Sequence, residues 1–482
     1  MVSKPLIAVA SLALLVSAGC SPAATGLGAG PGTAGISTPA DRMRGLLPQA
    51  KRGSGPSGYI SHVIVIIQEN RSFENLFAGY PSANAPMFGC VNPNVHGKVL
   101  QSPPKQFRSG SGCPRGDTMV SLAETTFQKN SDIRHDWDSS ITEWNGGNMD
   151  GFGAYGQKHG QYLAYQYMQH SQIQPYWDMA NQYVLSDAMF PTEFGGSFTG
   201  HLTLVAGTDD LNPNKAEVDF PNGIYDDCDS PPGTNSSYVD PKRKVHRFKG
   251  PFPCFTQWNT IANPLDSAGI SWKYYASKVL NAGFWEPFEA MSYVRYGPDW
   301  NNIVAPQKQF LTDAANGNLA SVNWVSQSKD DSDHPSYHSD TGPSWVASVV
   351  NAVGESSYWN SSAIIVVWDD WGGFYDNAPP PQPDYRGLGM RVPCLIISPY
   401  AKQGYVSHVQ LEFASVLKFM EEVYGLGSIG PGSQGYSDQR ANDLNDAFDF
   451  SQSPRQFVPF GSKYKKEHFL HEPLSNEPVD TE

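Results

Sequence analysis

Two apolar stretches of this sequence each end in a pair of oxygen-bearing side chains. These pairs are Glu69 and Asn70 after residues 62–67, and Asp369 and Asp370 after residues 362–368. Neighbouring carboxylates repel each other unless a cation or a proton lies between them. Carboxylate and carboxamide oxygens are ligands that hard divalent cations prefer. The four side chains therefore predict a metal site assembled from distant parts of the chain.

A glycine-rich segment at residues 195–201, Gly-Gly-Ser-Phe-Thr-Gly-His, precedes a helix-like pattern. Backbone N–H groups at the start of a helix face outwards, and the helix dipole favours an anion there. The segment therefore predicts a phosphate-binding turn. The same residue types are common in an ordinary helix N-cap, so this pattern alone leaves both interpretations open.

The elements that would position these groups are strands of an α/β fold. Residues 62–67 form a run rich in β-branched side chains, which is short for a helix and typical of a strand buried on both faces. In open α/β sheets, ligands bind beyond the carboxyl ends of the strands. The alternative is that Glu69 and Asn70 only cap a following helix. The second stretch, with its own acidic pair, favours the metal site.

Three segments together resemble a bacterial phosphoesterase family that contains phospholipases C and acid phosphatases. They are HVIVIIQENRSFENLF from residue 62, WDDWGGFYDNAPPP from residue 368 and GLGMRVPCLIISPYAKQGYVSHVQLEFASVLKFMEEVYGL from residue 387. The resemblance extends from about residue 60 to about residue 427. It implies an alkaline-phosphatase-like fold, an α/β/α sandwich around a largely parallel sheet, with loop-rich insertions.

The resemblance also implies a nucleophile in the glycine-rich segment. Ser197 aligns with the family's nucleophilic Ser or Thr, and His201 aligns with a terminal basic residue. The Pro and Asn that usually lie between them are replaced by Thr199 and Gly200. This departure leaves the local geometry open and makes Thr199 a competing hydroxyl.

A cation and two histidines complete the expected site. The implied metal ligands are Glu69, Asn70, Asp369, Asp370 and Ser197. His135 and His334 are assigned to the phosphoryl oxygens, and one of them would protonate the leaving alcohol. We expect His201 and His408 to support these groups from outside the ligand set, whereas His246 has no assignable role.

The predicted activity is metal-dependent hydrolysis of phosphate esters through a phosphoserine intermediate. The oxygen-rich ligand set favours Ca²⁺, Mg²⁺ or Mn²⁺ and is compatible with Zn²⁺ or Fe. The substrate is expected to be a small phosphate ester, as in acid phosphatases, or a phospholipid of the phosphatidylcholine type, as in phospholipases C. Because the chain ends soon after the matched core, the sequence favours the phosphatase.

Other functional classes fit only parts of the sequence. A sulfatase of the same superfold would need a Cys/Ser-x-Pro-x-Arg motif, which the sequence lacks. A surface lipoprotein that binds glycans or partners would explain the many aromatic side chains, but not the two acidic strand ends. The net charge of −14 argues against binding to nucleic acid through a basic surface.

The N-terminus has the features of an export signal. Residues 1–20 contain an early lysine, an apolar stretch and small residues before Cys20, which predicts a lipoprotein signal with Cys20 lipidated. Ordinary signal cleavage nearby is the alternative. Residues 21–57 are interpreted as a flexible linker, 58–450 as the catalytic domain and 451–482 as a C-terminal tail. We expect the protein in the periplasm or at the cell surface as a lipoprotein, or secreted, touching membranes only through this anchor.

Five cysteines remain after Cys20. Export favours disulfides. Cys90 with Cys113, and Cys228 with Cys254, would each close a local loop rich in Pro and Gly. Cys394 lies in an apolar strand-like run and is expected to be a free core thiol.

Overall fold

The computed structural model describes residues 55–96, 113–114, 116–158, 161–223 and 225–474. The predicted signal peptide, the predicted lipidation of Cys20 and nearly all of the predicted linker lie outside these residues. Within the described ranges, no helix combines the length and the apolar composition that crossing a bilayer requires.

A nine-stranded sheet forms the centre of the described chain. Its strands are β1 (His62–Gln68), β2 (Val184–Phe190), β3 (Trp272–Tyr275), β4 (Ile303–Val304), β5 (Val322–Val325), β6 (Ser362–Trp368), β7 (Val392–Ile397), β8 (Tyr405–Ser407) and β9 (Leu411–Glu412). The order across the sheet is β4-β3-β5-β1-β6-β7-β2-β8, and β9 also pairs with β2. Paired strands are parallel except at β7, which is antiparallel to both β6 and β2. The predicted largely parallel sheet is confirmed, with one reversed strand.

Burial along the strands shows that both faces of the sheet are covered. All residues of β1 after His62 and all residues of β6 are buried. Because successive side chains of a strand point to opposite faces, continuous burial requires cover on both sides. The predicted α/β/α sandwich is therefore confirmed.

Ten α-helices of the described chain provide this cover and the connections. They are α1 (Phe73–Phe77), α2 (Trp137–Trp144), α3 (His170–Gln182), α4 (Ser197–Ala206), α5 (Ala262–Ser267), α6 (Ser292–Arg295), α7 (Gln309–Asn316), α8 (Gly342–Gly354), α9 (Phe413–Tyr424) and α10 (Lys466–His471). Helix α8 packs against α3, α7 and α10, whereas α4 packs against α9.

Insertions between the main elements carry small sheets of their own. One sheet has four strands, Asp210–Asn212, Lys215–Val218, Ser237–Val239 and Val245–His246. The two-stranded sheets pair Phe88–Val91 with Thr118–Ser121, Ala123–Thr125 with Gln166–Met168, and Gln157–Lys158 with Gln161–Tyr162. The prediction of loop-rich insertions is borne out by these short strands and the turns between them.

The cysteine predictions are confirmed. Cys90 is bonded to Cys113 and Cys228 to Cys254, each within an insertion. Cys394 is a free thiol buried in β7. Burial raises the pKa of the Cys394 thiol to about 12, so this group stays protonated and unreactive at neutral pH.

The described part of the predicted tail packs onto the domain. Phe460 and Phe469 are buried. Trp359 donates from its indole N–H to the Arg455 carbonyl at 2.8 Å, and Asn351 exchanges two hydrogen bonds with the backbone of Phe460. Residues 451–474 therefore form one packed unit with the core.

Candidate active site

The two acidic strand ends meet because β1 and β6 are parallel neighbours in exact register. Gln68 and Trp368, the last residues of the two strands, are paired across the sheet. The two segments remain hydrogen-bonded just beyond the strand ends, since the Asn70 N–H donates to Asp369 Oδ1 at 3.0 Å. The Arg71 N–H donates to the Asp370 carbonyl at 3.0 Å. Strand register alone therefore carries both pairs of side chains to one edge of the sheet.

A glycine turn after the aspartates shapes this edge. Asn70 has a φ of 51°, a left-handed conformation that non-glycine residues adopt mainly at turns and functional sites. Gly372 packs against it so closely that an added Cβ would lie 2.3 Å from the Asn70 carbonyl oxygen. The Gly372 N–H donates to Asp370 Oδ1 at 2.7 Å. Position 372 thus requires glycine for space and for its positive φ of 61°, and the backbone N–H there orients Asp370.

Ser197 is the first residue of α4 and lies against these acids. Its Oγ donates to Asp370 Oδ2 at 3.0 Å and lies 3.3 Å from Asn70 Oδ1. The competing hydroxyl of Thr199 instead donates to the Gly196 carbonyl at 3.2 Å, within the first turn of the helix. The structure therefore brings Ser197, and not Thr199, to the acidic pair.

Gly200 allows this helix to approach the strand ends. An added Cβ at this position would lie 2.6 Å from the Asp369 carbonyl oxygen, closer than real carbon–oxygen contacts. The departure from the usual family segment at Gly200 therefore has a physical reason: α4 crosses the Asp369 backbone without room for a side chain.

Glu69, Asp369 and His201 form a fully buried cluster. Each of them offers a ligand atom within 4.8 Å of those of the other two. His201 Nε2 lies 2.8 Å from Glu69 Oε1 and 3.7 Å from Asp369 Oδ2. Gln327 Nε2 also donates to Glu69 Oε1 at 2.8 Å. We expected His201 to support the site from outside the ligand set, but the structure places it among the candidate ligand atoms.

Burial sets the charges of this cluster. It raises the pKa of Asp369 to about 7, with Glu69 adding repulsion, and the pKa of Asp370 to about 7, with Asp369 adding repulsion. Burial also lowers the pKa of His201 to about 4, so its imidazole is neutral at pH 7. A neutral imidazole does not offset the carboxylates.

The residues present therefore fit a divalent cation. Its candidate donors are carboxylate, carboxamide, hydroxyl and imidazole atoms of Glu69, Asp369, Asp370, Asn70, Ser197 and His201. An imidazole nitrogen in this set makes Zn²⁺ and Fe better matched than an all-oxygen set would.

His135 and His334 face the other side of Asn70. The two rings are 6.1 Å apart. His135 Nδ1 donates to the Ile133 carbonyl at 2.6 Å, so Nε2 carries the lone pair in the neutral ring. That nitrogen lies 2.9 Å from the Asn70 amide and 4.0 Å from Asp370 Oδ2.

The Asn70 amide joins the acids to the histidines. When its oxygen faces the two rings, it accepts from Nε2 of His135 at 2.9 Å and of His334 at 3.0 Å. Its nitrogen then donates to Glu69 Oε2 at 2.9 Å and Asp369 Oδ1 at 3.2 Å. This orientation requires a proton on Nε2 of His135, whereas the reverse orientation suits the neutral ring. The amide orientation thus follows the protonation of the histidines.

A hollow of about 400 Å³ opens beside His135. Its lining mixes charged, aromatic and aliphatic side chains: Asp132, Ile133, Arg134, Asp136, Asp219, Phe220, Pro221, Arg247 and Phe248. Arg247, from the four-stranded insertion, contacts Asp136 at 3.0 Å and Asp219 at 3.1 Å. The insertion therefore forms one wall of the space that adjoins the site.

The expectation for His408 is wrong. Its Nδ1 lies 2.9 Å from Asp187 Oδ1, and its side chain is 62% exposed. It lines a separate surface hollow together with Tyr80 and Tyr405. The loop after β8 points His408 towards solvent, so this residue does not support the acidic cluster.

The sequence patterns did not single out Gln327 or Arg247 as residues of the site. Gln327 follows β5, which neighbours β1, and the rule that ligands bind at strand ends could have singled it out. His246 has a structural partner instead of a site role, since it lies 2.9 Å from Asp240 and stacks on Tyr238. Arg247 gave no signal, because its approach to His135 depends on how the insertion folds back.

Comparison with known proteins shows what this chain resembles. A family model described as the phosphoesterase family matches residues 60–427. Non-hemolytic phospholipase C of Pseudomonas aeruginosa is 26% identical over 464 residues, covering 87% of this chain and 62% of that protein. Phospholipase C B of Mycobacterium tuberculosis (strain H37Rv) is 23% identical over 470 residues, covering 86% of this chain and 84% of that protein. The chain thus spans less than two thirds of the Pseudomonas protein.

Solved structures with a related arrangement are more distant. A protein in the alkaline phosphatase superfamily from Vibrio parahaemolyticus is 13% identical, with a TM-score of 0.33 over 55% of this chain and 63% of that chain. Murine ectonucleotide pyrophosphatase/phosphodiesterase 5 is 9% identical, with a TM-score of 0.36 over 58% of this chain and 96% of that chain. The family match, in contrast, includes both acidic strand ends and the Ser197 helix, and it confirms the resemblance inferred from the sequence. This chain belongs to the phosphoesterase family.

Proposed function

We propose that this chain is a metal-dependent phosphoesterase in which Ser197 attacks phosphorus. One observation carries the proposal: the Ser197 hydroxyl, at the first residue of a helix, donates to Asp370 at 3.0 Å beside a buried acidic cluster. Phosphoryl transfer depends chiefly on positioning and charge neutralisation. A hydroxyl, an anion-binding helix start and a cation-binding cluster are the parts that this chemistry needs.

The phosphoryl group would bind between the start of α4 and the two histidines. Backbone N–H groups at the helix start favour an anion, and His135 and His334 supply hydrogen-bond donors when protonated. A divalent cation held by the acidic cluster would neutralise phosphoryl charge and lower the pKa of the serine hydroxyl. His201 stays neutral, which leaves its nitrogen able to act as a ligand.

In the first step, Asp370 Oδ2 would accept the hydroxyl proton while Ser197 Oγ forms a bond to phosphorus. The ester bond to the leaving oxygen breaks, and His135 or His334 donates a proton to that oxygen. In the second step, the same histidine takes a proton from water, whose oxygen bonds to phosphorus. Ser197 Oγ leaves and regains its proton from Asp370. The enzyme ends in its starting protonation state.

Two classes of phosphate ester are candidate substrates. The curated relatives named above are phospholipases C, which supports a phosphodiester of the phosphatidylcholine type. A small phosphomonoester, as in acid phosphatases, shares the same chemistry at phosphorus and is the second candidate. The hollow of about 400 Å³ beside His135 has room for a substituent on phosphorus beyond the reacting group.

A substrate panel tests the proposal. Turnover of p-nitrophenyl phosphate, p-nitrophenyl phosphorylcholine and phosphatidylcholine in mixed micelles would be measured across pH with a series of divalent cations. We expect the two choline diesters to be hydrolysed faster than the monoester. The opposite order would favour the phosphatase, and absence of hydrolysis with every substrate and cation would contradict the proposed function.

A further inference from the structure

A second group of acidic side chains lies in the insertion that contains the Cys228–Cys254 disulfide. Asp227, Asp229 and Glu289 each offer a carboxylate oxygen within 4.8 Å of those of the other two. Asp227 is 1% exposed and Glu289 is fully buried. None of the active-site residues belongs to this group.

Two buried oxygen atoms at this group receive no hydrogen bond from an N–H or hydroxyl group of the described residues. Asp227 Oδ1 accepts from the Asp229 N–H at 2.7 Å, whereas Asp227 Oδ2 has no such donor. The Asp227 and Glu289 carboxyl groups lie within hydrogen-bond distance of each other, a contact that needs a proton or a cation between them. Glu286 is 1% exposed, and its Oε2 is likewise buried without a donor. Glu286 is close enough to Glu289 and Asp227 to be repelled by both. A buried carboxylate oxygen without a donor is costly unless a cation or a proton satisfies it.

The remaining carboxylates are held in fixed orientations. Glu289 accepts from the N–H groups of Asn281 at 2.9 Å and Ala282 at 3.1 Å, one at each oxygen. Asp229 is fixed by the Arg295 guanidinium, which donates twice to Oδ2, at 2.8 and 3.1 Å, and once to Oδ1, at 3.2 Å. Both Glu289 oxygens and Asp229 Oδ1 keep a lone pair after accepting one hydrogen bond each. Arg295 offsets only one of the negative charges.

We infer that this group binds a calcium ion, with Asp227, Glu289 and Asp229 as ligands. The donors are all oxygen atoms, which suits a hard cation. They come from irregular loop segments, and Ca²⁺ tolerates irregular geometry better than Mg²⁺ does. Asp229 is partly exposed, so it gives the ion a route from solvent.

The ion would tie the disulfide-bonded loop to the segment that packs on α4. The Cys228 N–H already donates to the Glu289 carbonyl at 3.2 Å. Residues Gly283–Trp285 and Pro287–Ala290, on either side of Glu286, contact α4. Calcium bound here therefore stabilises the segment that packs on α4, the helix that begins with Ser197. The ion takes no part in the reaction.

Calcium titration of the full chain tests this site separately from the active site. The E69Q/D369N variant removes two carboxylates of the active-site cluster and leaves the second group intact. After chelation, isothermal titration calorimetry with CaCl₂ should show one ion per chain, with a Kd of roughly 10⁻⁴–10⁻³ M, the range of extracellular calcium modules. The melting temperature should rise on addition of Ca²⁺.

A further substitution assigns the ion to the second group. Asp227→Asn in the E69Q/D369N background should weaken calcium binding at least tenfold and abolish the rise in melting temperature. Asp240→Asn is the matched control, because Asp240 lies in the same insertion and pairs with His246. It should leave both quantities unchanged.

Two results would overturn the inference. One is that E69Q/D369N binds no Ca²⁺ in this range. This test requires no substitution in the second acidic group. The other is that Asp227→Asn binds Ca²⁺ as tightly as its parent. If E69Q/D369N does not fold, the wild-type chain decides: a calcium stoichiometry that Asp227→Asn does not lower by one contradicts the site. These experiments measure calcium binding and melting temperature, and not catalysis. A negative result would therefore contradict the calcium site without contradicting the proposed function.

Discussion

Gly200 of helix α4 packs directly against the backbone carbonyl of Asp369, with room for no side chain between them. This contact sets how closely the Ser197 helix approaches the two acidic strand ends. Backbone packing, and not a side-chain contact, thus positions α4 against the strand ends that carry Glu69 and Asp369.

Gly200→Ala should therefore impair catalysis. The new Cβ would lie 2.6 Å from the Asp369 oxygen, so the helix must shift outwards. Because misplacement of a reacting group by about 1 Å can cost roughly 10²-fold, we expect kcat/KM to fall by roughly 10- to 100-fold. Gly427→Ala is a matched control, since nothing lies within 4 Å of an added Cβ there. Equal activity of both variants would contradict the role of this contact.

Histidine substitutions should separate site residues from surface residues. His135→Ala and His334→Ala each remove a group proposed to bind phosphate or protonate the leaving oxygen, and each should lower kcat by roughly 10²–10⁴-fold. His408→Ala should change kcat less than about twofold, because its side chain is exposed and contacts Asp187. Steady-state kinetics on the three variants provides the measurement. A large loss in His408→Ala would restore that residue to the site.

Metal removal should abolish activity reversibly. The buried carboxylates of Asp369 and Asp370 fit a cation, and chelation followed by desalting should reduce turnover to background. Adding back Ca²⁺, Mg²⁺, Mn²⁺, Zn²⁺ and Fe²⁺ singly then identifies the effective ion. Because His201 contributes a nitrogen to the cluster, we expect Mn²⁺, Fe²⁺ or Zn²⁺ to restore more activity than Mg²⁺. Full activity in the presence of a strong chelator would count against the metal.

Asp384 should contribute to stability in a pH-dependent way. Burial alone would raise the pKa of Asp384, but Arg386 at 2.9 Å and Arg440 at 2.6 Å lower it to about 2. Since this value lies below the unfolded value of 3.8, the stabilisation is present above pH 4 and is lost as pH falls through 2.

At pH 7, the free energy of unfolding of the Asp384→Asn variant should be about 2 kcal/mol lower than that of the wild type. At pH 3 the difference should be about half as large. Urea unfolding at both pH values checks this expectation. A difference that stays constant or grows on acidification would show that the loss comes from packing and not from the charge of Asp384.

The sequence could predict the parts of the site that strand ends determine. The apolar runs before Glu69 and Asp369 identified two strands, and parallel pairing then made their meeting a consequence of sheet geometry. The position of Ser197 followed from the family resemblance together with a helix-start pattern. These features are local or obey a general rule about sheet edges.

Other parts depend on tertiary contacts that no local pattern specifies. His201 lies one helical turn after Ser197, so its side chain points to the same region, but only the packing of α4 brings it 2.8 Å from Glu69. His408 follows a strand-end pattern as well, yet β8 is the outermost strand beyond β2 and its loop faces solvent. The wall at Arg247 depends on how an insertion folds over the domain.

The most direct test is whether substrate transfers its phosphoryl group to Ser197. Enzyme would be mixed with excess substrate, quenched in acid during turnover, digested and examined by mass spectrometry, with Thr199→Ala as a parallel sample. We expect one phosphorus-containing group on Ser197 in wild type and in Thr199→Ala, a phosphoryl group from a phosphomonoester or a phosphorylcholine group from a choline diester, and none in an inactive Ser197→Ala variant. Phosphate on Thr199 instead, or near-wild-type turnover by Ser197→Ala, would contradict it.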